Sequence, residues 1–178
     1  MILEELIITE DNINDYINKG YINFIDNILN IKVKVKKLNI LYNNIKVLKC
    51  SECNIQELNI NNLINLKKLY CNSNKLQELN INNLTNLKKL YCNSNKLQEL
   101  NINNLTNLRK LFCHYNKLQK LNINNLINLE VLFCYKNNNL IIISNNYKYN
   151  NSYFIKGSAK VITIEEYKEY LELKDILL

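Results

Sequence analysis

A 21-residue unit repeats along the middle of this chain and limits what it can fold into. Residues 66–86 read LKKLYCNSNKLQELNINNLTN, residues 87–107 repeat them letter for letter, and residues 108–128 read LRKLFCHYNKLQKLNINNLIN. A fixed period of this length marks a stack of like supersecondary units. Within each unit apolar residues fall at positions 1, 4, 6, 11, 14, 16 and 19, with Asn at 9. In the first copy these are Leu66, Leu69, Cys71, Leu76, Leu79, Ile81, Leu84 and Asn74. Leu69-Tyr70-Cys71 alternates in, out and in, which predicts a short strand. Stacked copies align such strands in a parallel sheet, about 4.8 Å apart. One unit cannot bury its apolar side alone, so its neighbours must supply the core.

Leu66, Leu69, Cys71, Asn74 and Leu76 meet the pattern L-x-x-L-x-L-x-x-N/C-x-L. It recurs at Leu87, Leu90, Cys92, Asn95 and Leu97, and at Leu108, Leu111, Cys113, Asn116 and Leu118. On these residues the chain resembles the leucine-rich repeat family. The second half of each unit, as in Leu76-x-x-Leu79-x-Ile81, echoes the first, which is similar to the nested 21-residue subclass called IRREKO. The resemblance implies a mostly β repeat solenoid, right-handed, with a parallel sheet on its concave face and short helical caps at both ends. Residues 45–65 fit with Cys53 at the Asn position. Leu129, Leu132, Cys134 and Asn137 fit too, but Asn139 stands where Leu is expected and Leu140 follows one late, which reads as a one-residue insertion. Residues 25–44 make a degenerate copy, whose Ile31-x-Val33-x-Val35 alternation predicts a strand. The expected organisation is an N-terminal cap over residues 1–24, a solenoid over 25–149 with five clear repeats from 45, and a C-terminal cap over 150–178.

Both caps are expected to carry a helix. Thr9 with Glu10 and Asp11 reads as an N-cap followed by acids, Ile13, Tyr16 and Ile17 as an apolar side, and Gly20 as a stop. Near the other end Lys156-Gly157-Ser158 reads as a turn and Thr163-x-x-Glu166 as a capping box, with Ile164, Tyr167, Leu171 and Leu178 at helical spacing. Capping an open solenoid end is favoured over recruitment of a second protein or dimerisation.

Composition narrows the setting. The chain has 38 Asn against 30 Leu, two Gly and no Pro, an excess expected of an AT-rich genome. Asn-rich tracts are often disordered, but here the Asn follow a strict apolar period. Met1–Thr9 carries Glu4 and Glu5 and lacks the basic start of a secretory signal. Apolar runs are far short of the ~20 residues a membrane helix needs. A cytoplasmic monomer away from membranes is therefore expected. Charge is uneven: residues 1–30 carry −5, residues 31–128 carry +12 and residues 129–178 are neutral, which gives the net +7.

No catalytic constellation emerges. Cys50-Ser51-Glu52-Cys53 could suggest redox or zinc chemistry, but Cys50 falls on position 6 with Cys71, Cys92, Cys113 and Cys134, and no second C-x-x-C completes a metal site. The five are expected to stack as a buried column. Neighbours there lie within disulfide reach by Cα spacing, but their parallel side chains point the wrong way to bond. His114 follows Cys113 directly, and adjacent strand residues face opposite sides, so the two cannot share a metal. No Gly-rich phosphate loop exists. The expectation is a non-enzyme with no cofactor, no metal and six reduced cysteines.

The outward strand positions carry the functional signal. Position 5 runs Lys49, Tyr70, Tyr91, Phe112, Phe133; position 3 runs Val47, Lys68, Lys89, Lys110, Val131; position 7 runs Ser51, Asn72, Asn93, His114, Tyr135. Together they predict an aromatic stripe on the concave face, flanked by lysines and by polar groups. Aligned exposed aromatics tend to be binding sites, and the concave face is where solenoids bind. The leading expectation, which the resemblance also implies, is a protein-interaction module. Its partner, expected to be acidic, would meet Tyr70, Tyr91, Phe112, Phe133, Lys68, Lys89, Lys110, Asn72, Asn93, His114 and Tyr135. The alternative is single-stranded nucleic acid on the same basic and aromatic surface. Against it stand the scarcity of Arg (Arg109 alone) and expected Lys75–Glu78 and Lys96–Glu99 pairing.

Overall fold

The computed structural model describes residues 1–145, 160–162 and 165. The predicted turn at Lys156-Gly157-Ser158 lies outside these residues, as does nearly all of the predicted C-terminal helix.

The chain coils into a β-solenoid with two strand-bearing faces. Elements run β1 (Ile2–Ile8), α1 (Ile13–Asn18), β2 (Ile22–Ile25), β3 (Ile28–Ile31), β4 (Lys34–Ile40), β5 (Val47–Lys49) and β6 (Glu57–Asn59). They continue with β7 (Lys68–Tyr70), β8 (Lys89–Tyr91), β9 (Lys110–Phe112), β10 (Lys120–Asn122), β11 (Val131–Phe133), β12 (Ile141–Ile143) and β13 (Lys160–Ile162). The first face is a seven-stranded sheet in the order β11-β9-β8-β7-β5-β3-β2, parallel except for the β2–β3 hairpin. The second face carries two three-stranded sheets, β1-β4-β6 and β10-β12-β13.

The repeat register is the one expected. Leu69 pairs with Leu90 and Leu90 with Leu111, so each turn advances by 21 residues. The inward columns, such as Leu66, Leu69, Cys71, Leu76, Ile81 and Leu84, are fully buried and form one core along the stack. The Asn at position 9 closes each turn. The Asn95 side-chain amide donates to the Cys71 and Cys92 carbonyls, both at 3.0 Å, and its Oδ1 accepts the Leu76 N–H at 3.0 Å. Asn74, Asn116 and Asn137 repeat the arrangement. The residue before each, Ser73, Ser94, Tyr115 or Lys136, lies at φ 52–56°, and Glu52 before Cys53 lies at φ 58°. That left-handed conformation disfavours side chains, and here the Asn bonds on either side hold it.

Four expectations need correction. Thr9 is not the helix N-cap: Asn12 is, and Thr9 instead exchanges hydrogen bonds with it, Thr9 N to Asn12 Oδ1 at 2.9 Å and Asn12 N to Thr9 Oγ1 at 3.3 Å. The cause is β1, which pairs in parallel with β4 as far as Ile8 and so delays the helix. Gly20 does end α1, at φ 70°, with Gly20 N bonded to Ile17 O and Tyr21 N to Tyr16 O, both at 2.9 Å. The Ile31-x-Val33-x-Val35 alternation spans a break: β3 stops at Ile31 and β4 starts at Lys34, passing the chain from one face to the other. The insertion at Asn139 is not one either. Leu121 pairs with Ile142, again 21 apart, while Asn139 adopts φ 55° and turns Leu140 into the core. Finally, Lys75–Glu78 and Lys96–Glu99 do not pair. Three residues of extended chain span roughly 10 Å, whereas such spacing suits a helix. The pairs that form include Lys37–Glu57 at 3.0 Å and Arg109–Glu130 at 3.2 Å, both between copies.

Candidate functional site

Strand pairing fixes the outward columns. Because Lys68 faces Lys89 and Lys89 faces Lys110, while Tyr70 faces Tyr91 and Tyr91 faces Phe112, identical positions stand beside one another across the sheet. Tyr70, Tyr91, Phe112 and Phe133 form one continuous stack. Their ring centroids lie 4.7, 4.5 and 4.9 Å apart, each pair 12° from parallel. All four are half-buried. The stack has two consequences. First, the inner rings cover one another's faces and offer only edges to solvent. Second, stacked pairs contribute about 0.5–1.5 kcal/mol each beyond area burial, so the ladder supports the fold as well as shaping the surface. Burial, and then Tyr91 beside it, raises the Tyr70 hydroxyl pKa above its ordinary range.

The position-7 column changes character along the stack. Ser51 Oγ donates to Asn72 Oδ1 at 2.6 Å, and Asn93 follows. Beyond it His114 stacks on Tyr135, centroids 4.5 Å and 13° apart, with Tyr115 edge-on to both. This widens the aromatic surface at one end, and Tyr115, half exposed, had no place in the predicted site. Desolvation lowers the His114 pKa despite a hydrogen bond to the Phe133 backbone, and its Nδ1 is buried with no partner. His114 and Cys113 do face opposite sides, the thiol inward.

The six cysteines are free and buried. Burial raises the thiol pKa throughout the position-6 column, from near 9.0 to about 12 at Cys92. These thiols are protonated, unreactive core groups. Cys53 fills an Asn position and donates weakly to Ser51 O and Ile31 O, at 3.3 and 3.6 Å. Among the described residues no group of three His, Cys, Asp or Glu could hold a metal, and no helix is long and apolar enough to cross a membrane.

Two features of the surface lie outside the predicted site. Position 2 adds a second outward cation to each central turn, in Lys67, Lys88 and Arg109. Position 21 makes a second, exposed Asn row: Asn86 donates to Ile64 O at 2.9 Å, Asn107 to Thr85 O at 3.0 Å and Asn128 to Thr106 O at 2.9 Å. The equal 21-residue spacing of these residues was the available signal.

No described protein family and no curated protein matches the chain. Among solved structures it is similar to the functional domain of InlJ from Listeria monocytogenes, a domain described as including a cysteine ladder. The likeness has a TM-score of 0.56 at 27% identity and covers 74% of this chain but 28% of that one, so this chain spans little more than a quarter of its length. The chain therefore has the fold of a leucine-rich repeat solenoid, and its own buried column Cys50, Cys71, Cys92, Cys113 and Cys134 is a cysteine ladder.

Proposed function

We propose that this chain is a non-enzymatic protein-interaction module whose sheet face binds a partner protein through Tyr70, Tyr91, Phe112 and Phe133. Lys68, Lys89 and Lys110 assist capture on one side; Asn72, Asn93, His114 and Tyr135 complete the contact on the other. In this reading it works as a cytoplasmic monomer without a cofactor. The observation that carries it is the stacked ladder: four half-buried rings in register, edges outward, beside lysines that form no ion pair among the described residues. The likeness to a repeat solenoid supports the interaction role, because such folds bind along an extended surface.

Nucleic acid is the second reading, and the free Lys75 and Lys96 weaken one argument against it. The ring stack supplies a stronger one. Sequence-tolerant binding of single strands relies on bases stacking on open aromatic faces, and here the inner faces are covered. The test compares partner recovery by the native chain, by Tyr91→Ala/Phe112→Ala and by Glu78→Ala/Glu99→Ala on the opposite face. The aromatic pair is expected to lose the partner while the acidic pair keeps it. Recovery unchanged by the aromatic pair would refute the reading. Circular dichroism of each variant separates lost contact from lost fold.

A further inference from the structure

Each central turn of the sheet presents two adjacent cations where one would be expected. The backbone shows why. Lys67 N and Lys68 N both donate to Lys46 O, at 2.8 and 3.2 Å; Lys88 N and Lys89 N both donate to Lys67 O, again at 2.8 and 3.2 Å. Arg109 N and Lys110 N both donate to Lys88 O, at 2.9 and 3.2 Å. These paired bonds lie where the chain enters each strand, which begins only at Lys68, Lys89 and Lys110, so position 2 precedes the strand and is not bound by its alternation. Positions 2 and 3 thus both turn outward between the buried positions 1 and 4.

The result is a block of Lys67, Lys68, Lys88, Lys89, Arg109 and Lys110 across three neighbouring turns. Like charges directly opposite on adjacent strands repel. Among the described residues one carboxylate reaches the block, Glu130 on Arg109 at 3.2 Å. The block is bounded at position 3 by Val47 and Val131. Beside it lies the ring ladder, and an aromatic edge is the positive part of the ring's quadrupole. Cation rows and ring edges therefore favour the same kind of group.

We infer that this block takes an acidic polypeptide segment laid along the stacking axis across β7, β8 and β9, its carboxylates on the six cations and beside the ring edges. The inference rests on reading this face as an interaction surface. It adds Lys67, Lys88 and Arg109 as the residues that select charge.

Fluorescence anisotropy of the full chain with a labelled ten-residue oligoglutamate tests it, beside oligoglutamine of equal length and (dT)10. Oligoglutamate is expected to bind, oligoglutamine not, and affinity to fall at least tenfold between 50 and 500 mM salt, as a contact driven by solvent-exposed charges requires. Lys67→Gln/Lys88→Gln is expected to weaken it about tenfold with an unchanged melting point, and Lys75→Gln/Lys96→Gln, outside the block, less than twofold. Equal loss from both pairs, tighter binding of (dT)10, or salt-sensitive self-association abolished by Glu78→Gln/Glu99→Gln would each overturn the inference. If oligoglutamate fails to bind while Tyr91→Ala/Phe112→Ala still abolishes partner recovery, the acidic partner is refuted and the interaction surface stands. If recovery survives the aromatic pair as well, both fall.

Discussion

Gln-Glu-Leu-Asn-Ile occurs at residues 56–60, 77–81 and 98–102, yet only the first copy holds a strand. On the other face Lys-Leu-Tyr at 68–70 and 89–91 holds one each time. On the ladder face each copy carries its own means of pairing: the Asn-closed turn, the paired bonds at the strand entrance and the stacked rings. On the second face strands form only beside a strong neighbour. β6 pairs with the seven-residue β4, and β10 with the Ile141-Ile142-Ile143 of β12, β-branched residues that favour extended chain. Between them single bonds such as Lys96 N to Leu76 O at 2.8 Å join the turns, and a cleft opens along Gln77, Glu78, Asn80, Gln98, Glu99 and Asn101.

The largest expected difference between the faces is in alkali. The thiol column belongs to the ladder face; position 16 on the other is Ile60, Ile81, Ile102 and Ile123. Native Cys92 holds its proton to about 12, whereas an unfolded thiol loses it near 9.0. The native state then binds more protons, so stability is full below about pH 9 and falls as pH rises toward 12, by up to about 1.4 kcal/mol per pH unit for each such thiol. Urea unfolding at pH 8 and 10.5 checks this. Cys92→Val is expected to soften the loss, and a flat profile would mean the column is not sealed.

Core truncation is the next contrast. Leu90→Ala, under the ladder and fully buried, is expected to cost about 3 kcal/mol, and Leu100→Ala on the open face, 6% exposed, about 2 kcal/mol. Urea titration with matched slopes compares them, and the reverse order would break the comparison. The two Asn rows differ similarly. Asn116→Ala leaves the buried Leu97 N–H without its partner, takes one of two amide donors from each of the Cys92 and Cys113 carbonyls, and is expected to cost about 2 kcal/mol. Asn107→Ala removes one exposed bond and is expected to cost about 0.5 kcal/mol. The smallest effect is a gain. Ser94→Gly relieves a residue at φ 56° and is expected to raise stability by about 0.5–1 kcal/mol.

Period, core columns and outward columns were legible because a 21-residue register dictates which side chains face the interior wherever strands alternate. What escaped depended on contacts between copies. Strand β1 was hidden because Ile2-Leu3-Glu4-Glu5-Leu6-Ile7-Ile8 has no alternation until β4 pairs with it. The strand entrance that leaves Lys67 and Lys68 outward together is a backbone event, with no residue type to announce it. The left-handed Ser73, Ser94 and Tyr115 escaped because such positions usually signal themselves with Gly. Ring stacking, which covers the aromatic faces, follows from strand spacing that no single copy encodes.

Whether the laddered face is the one that binds is measured directly by hydrogen exchange with mass spectrometry, on the chain alone and saturated with its recovered partner. The predicted result is slowed exchange over residues 67–73, 88–94 and 109–115, with residues 77–82 and 98–103 unchanged. Protection confined to 77–82 and 98–103 would move the site to the opposite face and contradict the account.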